Sequence, residues 1–95
     1  MARKLSKDEA VEIAVRDAAK RAGVDRASAR ADASAATFPN SALGAGRPGE
    51  WSADMETSGW TIRVAAGGHS LEYRANPRQV RLVGYDGGNH VIFPD

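Results

Sequence analysis

Residues 59 to 75 read GWTIRVAAGGHSLEYRA, and Gly67-Gly68 at their centre is a two-residue turn of the kind that joins antiparallel strands. Pairing outward from that turn sets Val64 opposite Leu71, Ile62 opposite Tyr73 and Trp60 opposite Ala75. The same register sets Arg63 opposite Glu72 and Thr61 opposite Arg74. Apolar side chains meet on one face and opposite charges on the other. A slip of one residue would turn every side chain to the wrong face, so the pattern fixes both the hairpin and its register. Trp60, Ile62, Val64, Leu71 and Tyr73 therefore form the inner face of a sheet, and Arg63, Glu72 and Arg74 its polar outer face.

What covers the inner face stands at the start of the chain. Ser6 followed by Glu9 is a capping box, with Leu5 and Ala10 placed to form a hydrophobic staple. Val11, Ala14, Val15, Ala18 and Ala22 then fall on one helical stripe, flanked by the i,i+4 pairs Glu12 with Arg16 and Asp17 with Arg21. Gly23 suits the left-handed residue past a helix end, with Val24 touching Ala19 as in a Schellman motif. The predicted helix covers about residues 7–22, with Val11, Val15 and Ala18 against the sheet.

Alanines 27, 29, 31, 33 and 35 alternate with Ser28, Arg30, Asp32 and Ser34. A period of two argues for a half-buried strand, although alanine by itself favours helix. The alternation predicts a strand over 27–35, small on its inner side so that the helix can approach. Strands over 59–66 and 69–75 make up the hairpin, and Asn76-Pro77 ends its ladder. Further strands are expected at 79–85 and 90–93, joined by a turn at Asp86 to Asn89 that pairs Val83 with Ile92 and Leu82 with Phe93. The expected fold is α+β, one N-terminal helix on an antiparallel sheet of four or five strands in the order α-β-loop-β-β-β-β. At 95 residues it forms a single domain spanning 1–95.

Between the first two strands lies TFPNSALGAGRPGEWSADMETSG, a loop over about 37–58 without periodicity. Connections this long inside a small domain are uncommon and are functional or disordered. This one carries Phe38, Leu43, Trp51 and Met55 among turn-forming proline, glycine and asparagine, the composition of a loop that packs its own apolar residues. Presented as a binding loop, it offers Phe38, Leu43, Arg47 and Trp51 as partner-binding residues, because aromatic residues and arginine dominate interface energetics.

Composition narrows the chemistry. No cysteine is present, which removes disulfides, thiolate nucleophiles and cysteine-based metal sites, and the net charge of +1 gives no bulk attraction to nucleic acid or membrane. Ten of the thirteen basic residues are arginine, and Arg63, Arg74, Arg78 and Arg81 can form a strip on the outer sheet face able to bind an anionic ligand or nucleic acid. Nucleic acid is the weaker option, because Trp60 and Tyr73 are assigned to the core instead of a base-stacking platform. His69 and His90 sit at turn and strand positions, lacking the spacing of a metal motif, and neither Gly-Gly pair precedes a helix as a phosphate loop would. The expectation is a protein with no catalytic residues, metal or cofactor. Its partner is another protein, a protease among the candidates, and the chain is a monomer or a weak homodimer through an exposed edge strand. The polar start MARKLSKDEA and the lack of a long apolar run predict no signal peptide and no membrane span, hence a cytoplasmic protein, or an extracytoplasmic one if a leader has been trimmed.

The run from FPNSALG through PGEW and SGWTIRVAAGGHSLEYR to VRLV resembles a family of small bacterial α+β proteins without an assigned activity. Phe38, Pro39, Asn40, Leu43 and Gly44 match its aromatic-Pro-Asp/Asn-x-x-Leu-Gly turn. Pro48, Gly49, Gly59, Trp60, Gly67, Gly68, Tyr73 and Arg74 match its Pro-Gly step, Gly-aromatic strand, glycine hairpin and Tyr-Arg strand. More distantly, a helix followed by a sheet with Trp and Tyr-Arg strands is similar to the PepSY and cystatin-like class, a resemblance that implies binding or inhibition of proteases.

Overall fold

The computed structural model describes residues 4–94; the first three residues of the polar N-terminal stretch and Asp95 lie outside the described residues. Helix α1 runs over Lys7–Ala22. The Ser6 hydroxyl accepts the Glu9 amide at 3.1 Å and the Glu9 carboxylate accepts the Ser6 amide at 2.9 Å, so two of the helix's free donors are satisfied. At the other end Gly23 is left-handed (φ 69°), and the Val24 amide donates to the Ala19 carbonyl at 3.0 Å. A 3-10 turn, Arg26–Ser28, leads into five strands: β1 Arg30–Phe38, β2 Thr57–Ala66, β3 His69–Asn76, β4 Gln79–Tyr85 and β5 Gly88–Phe93. They form one antiparallel sheet in sequence order. The architecture is the expected one, and the β2-β3 register is the predicted one at each pair from Trp60 with Ala75 to Val64 with Leu71.

The core lies between α1 and the sheet, where Ile62, Val64, Leu71, Tyr73, Ala75, Val80 and Leu82 pack with Leu5, Ala10, Ala14 and Ala18. The helix stripe holds at Ala14 and Ala18, and Val11, Val15 and Ala22 pack on the core as expected, but its centre is shifted. Ala10, Ala14, Ala18 and Ala19 are buried, whereas Val11 and Val15 are half-buried on the flank. Alanine at the line of closest approach brings the helix backbone down onto large sheet residues, which valine there would hold away. Trp60, assigned to the inner face, is half-buried beside the core. The Tyr73 hydroxyl donates to Asp17 at 2.7 Å, and Asp17 also accepts from Arg21 at 2.8 Å, which ties helix to sheet through a shielded polar contact. Burial, reinforced by the hydrogen bond to Asp17, pushes the Tyr73 phenol well above its ordinary pKa, so it is a permanent donor.

Three expectations need correction. The first strand begins at Arg30 instead of residue 27, because Ser28 turns back on Asp25: both its hydroxyl (2.8 Å) and its amide (3.0 Å) donate to the Asp25 carbonyl. It continues to Phe38, and β2 begins at Thr57, so the loop spans 39–56 instead of 37–58. That strand is also less covered than its alternation suggests. It is the sheet edge, with Ala31 and Ala35 exposed and Ala33 half-buried. A helix about 10 Å wide shields two or three strands spaced about 4.8 Å apart, and α1 sits over the middle of the sheet. Last, β5 starts at Gly88 and pairs Val80 with Phe93, Arg81 with Val91, Leu82 with His90 and Tyr85 with Gly88, with two register shifts, instead of Val83 with Ile92 and Leu82 with Phe93. The turn residues are Asp86 (φ 54°) and Gly87 (φ 79°), not the glycine pair. A left-handed Gly84, whose amide donates to Asn89 Oδ1 at 2.9 Å, interrupts the pairing.

One glycine in the sheet is required by close approach. A Cβ on Gly59 would stand 2.0 Å from the Ala75 carbonyl oxygen, a backbone atom that cannot move aside. Gly59→Ala should cost about 3 kcal/mol in urea unfolding. Gly88→Ala, whose Cβ enters open space, should stay within about 0.5 kcal/mol.

Candidate functional site

The loop between β1 and β2 lies on the sheet face opposite the helix, and arginines projecting from that face hold it there. In its first part Pro39 leads into a turn organised by Asn40, whose Oδ1 accepts the amides of Ala42 at 3.0 Å and Gly44 at 2.9 Å. Leu43 and Gly44 are both left-handed (φ 60° and 64°). For leucine that conformation costs about 1 kcal/mol, offset here by complete burial of its side chain. The two turned carbonyls face Arg74, whose Nη1 donates to Leu43 at 3.0 Å and Gly44 at 3.1 Å. The same guanidinium lies 5.5 Å from the centre of the Phe38 ring. At Gly44 a Cβ would come 2.8 Å from that Nη1, so the glycine admits the arginine as well as the turn.

Arg81 makes the second and deeper attachment. Its residue is only 6% exposed, and its two terminal nitrogens each donate to one carboxylate oxygen of Glu50 at 2.7 Å. Nη1 also donates to the Ala45 carbonyl at 3.1 Å, and Nε to Gln79 Oε1 at 2.7 Å. Gln79 in turn donates to the Ser41 carbonyl at 2.8 Å, and Asn89 to the Gly46 carbonyl at 2.9 Å. Glu50 is delivered to Arg81 by a reverse turn over Arg47-Pro48-Gly49-Glu50, closed by the Glu50 amide on the Arg47 carbonyl at 3.0 Å with Gly49 left-handed. The loop also bonds across itself, Ser41 amide to Ala53 carbonyl at 2.9 Å and Ala53 amide to the Ser41 hydroxyl at 2.7 Å. Among the described residues no buried side-chain polar atom lacks a partner.

The candidate binding residues divide between inside and outside. Phe38 and Leu43 are buried under the loop, while Arg47 and Trp51 face solvent. Trp51 follows the clamped Glu50 directly and is 84% exposed; Met55 is 58% exposed. Both were expected to pack within the loop. The loop's buried apolar residues are Ala42, Leu43 and Ala45 instead. The outer face is likewise not the open strip expected. Arg74 and Arg81 bind the loop, Arg63 is exposed with Glu72 at 3.8 Å, and Arg78 is exposed at the β3-β4 turn. The four guanidinium groups therefore form no continuous anion surface. Sequence reasoning missed Glu50 altogether. Its partner is remote in the chain, and an arginine at an outward strand position carries no sign that a loop will cover it.

Elsewhere, an open groove at the end of the β2-β3 hairpin is lined by Ser28, Arg30, His69 and Ser70, and a small cleft by Arg21, Leu71 and Tyr85. His90 Nε2 lies 3.0 Å from the Tyr85 carbonyl oxygen. No cluster of three or more His, Asp or Glu that could hold a metal occurs among the described residues, and no helix of the described chain is long and apolar enough to cross a membrane.

The Arg81 guanidinium, aided by the Arg47 amide, holds the Glu50 carboxyl down at about 2. Because this folded-state value lies below the ordinary value near 4.5, the stabilisation is complete above about pH 5 and is lost as pH falls toward 2. Urea stability should drop by about 2 to 3 kcal/mol more in the wild type than in Glu50→Gln between pH 6 and pH 2, after allowance for the carboxylate's partial exposure. At pH 7 Glu50→Gln should itself cost about 3 kcal/mol, since it leaves a buried guanidinium without its counter-charge.

A family model described as a domain of unknown function, DUF8738, matches residues 11–83, from the first turns of α1 through most of β4 and including the whole loop. No curated protein and no solved structure matches the chain.

Proposed function

The chain belongs to the DUF8738 family, and on that footing we propose that it is a non-enzymatic protein-binding module whose contact surface is the loop tip carrying Arg47, Trp51 and Met55. The observation that carries this reading is an 84%-exposed tryptophan next to a residue clamped into the sheet by a buried bidentate ion pair. Burying a tryptophan of about 200 Å² in a partner's pocket contributes on the order of 5 kcal/mol. A loop already fixed by Arg74, Arg81, Gln79 and Asn89 loses little further freedom on binding. Phe38 and Leu43 belong to the support of this surface, not to its contacts.

The narrower form of the reading is an inhibitor like the PepSY and cystatin-like proteins, with the loop occupying a protease's substrate cleft. A panel of purified serine and cysteine proteases tests that form, with inhibition expected to vanish in Trp51→Ala.

The broader form is tested with a displayed peptide library selected on the immobilised chain. Selected peptides should lose about 30-fold or more in affinity on Trp51→Ala and less on Arg47→Ala or Met55→Ala. Backbone order parameters over 39–56 should match the strands, near 0.85. Binders indifferent to Trp51→Ala but steeply weakened by salt would sink this reading and favour an anionic-ligand site at Arg63 and Arg78.

A further inference from the structure

The sheet has two edges, and they are built differently. The pairing of β5 with β4 is interrupted by two register shifts, the second spanning the left-handed Gly84 of β4, irregularities that blunt that edge against further pairing. β1 has nine residues in unbroken register with β2, no proline, no bulge and no lysine. A two-residue turn closes on a hydrogen-bonded pair, so Ala66 and His69 set the phase across the sheet. The even-numbered residues of β2 bond β3 and the odd-numbered ones bond β1. On β1 the partners of those odd residues are Arg30, Asp32, Ser34, Ala36 and Phe38. The amides and carbonyls of Ala31, Ala33, Ala35 and Thr37 therefore point away from the sheet.

The side chains beside that open ladder have a definite shape. Ala31, Ala33 and Ala35 lie across from Val64, Ile62 and Trp60 and so face the helix layer. Val11 and Val15 occupy the α1 flank that also carries Glu12, and Glu12 bonds Arg26 just before β1. The result is a notch floored by three alanines, with half-buried valines toward the helix and, among the described residues, no further strand beside β1. On the opposite face Arg30 and Asp32 are exposed, and among the described residues neither has an ion-pair partner.

We propose that β1 is a strand-addition site for an extended segment of another protein, which pairs antiparallel as a sixth strand. The segment carries bulky apolar residues opposite the three alanines, a basic residue opposite Asp32 and an acidic one opposite Arg30. A second copy of this chain fits less well. The edge of nine residues spans about 30 Å. With a contact zone about 10 Å across, a pair of copies would bury only about 600 Å², half of what a stable interface needs. Another β1 would also bring alanines to the notch and leave it unfilled. A peptide strand gains the main-chain bonds along the edge and fills the notch with its alternate side chains. The site is separate from the Trp51 surface and does not rest on it.

The test uses an end-blocked synthetic peptide of the order Leu-Thr-Leu-Lys-Leu-Glu, titrated into the isotope-labelled chain. Shift changes should centre on β1, and the amides of Ala31, Ala33, Ala35 and Thr37 should become protected from exchange. Ala33→Pro removes an outward donor that β2 does not use, and should weaken binding more than about tenfold while the β2-β3 resonances stay in place. Ala33→Leu fills the notch and should weaken it as well, giving a second readout should the proline disturb the strand. Trp51→Ala should bind the peptide as the wild type does. Shifts confined to residues 39–56, no binding, unchanged binding in both Ala33 variants, or a β1-paired homodimer that excludes the peptide would each overturn the assignment.

Discussion

An arginine that is only 6% exposed in a small domain must have its charge met, and in this chain Glu50 meets it. The Arg81-Glu50 pair joins a strand to a loop 31 residues earlier in the chain, and the loop's closure on the sheet depends on it. Without the carboxylate the arginine would be buried and uncompensated; without the arginine, the carboxylate and the Arg47-Glu50 turn would have nothing to dock on. Because both terminal nitrogens engage both oxygens, the pair fixes orientation as well as distance. The carbonyls of Ala45, Ser41 and Gly46 then accept from the arginine, Gln79 and Asn89 respectively.

This closure gives the sheet a cover on each face. The helix packs its alanine stripe on the inner face, and the loop places Leu43 and a layer of hydrogen bonds on the outer face. Neither cover extends over the whole sheet. α1 only partly covers β1, where Ala31 and Ala35 are exposed and Ala33 half-buried, and the loop leaves Trp51 and Met55 in solvent. The two surfaces left uncovered thus follow from the same limit: a chain of this size has one helix and one loop with which to cover five strands.

Much of this could be read from residues close together in sequence. Ser6, Glu9 and Gly23 mark the helix ends through bonds three to five residues apart, and the β2-β3 hairpin declares its register because each cross-strand pair tests it. The β4-β5 hairpin was less legible. Asp86-Gly87 and Gly87-Gly88 are both acceptable turn centres, and Asn89 capturing the Gly84 amide decides between them. The alanine alternation announced a strand but not its position, since an edge strand and a covered one share a period of two.

The candidate site was legible by place but not by geometry. The composition of residues 37–59 marks a loop, and Trp51 and Arg47 within it, yet nothing local separates the buried Leu43 from the exposed Trp51. By itself the sequence determined the helix, its caps and the central hairpin, because these rest on short-range bonds and on periodicity. Only the tertiary structure decided which arginines stay free, which strand is left as an edge and which loop residues face solvent. Those outcomes turn on where Arg81 finds its counter-charge and on how much of the sheet one helix can reach, and both are set by distances across the fold.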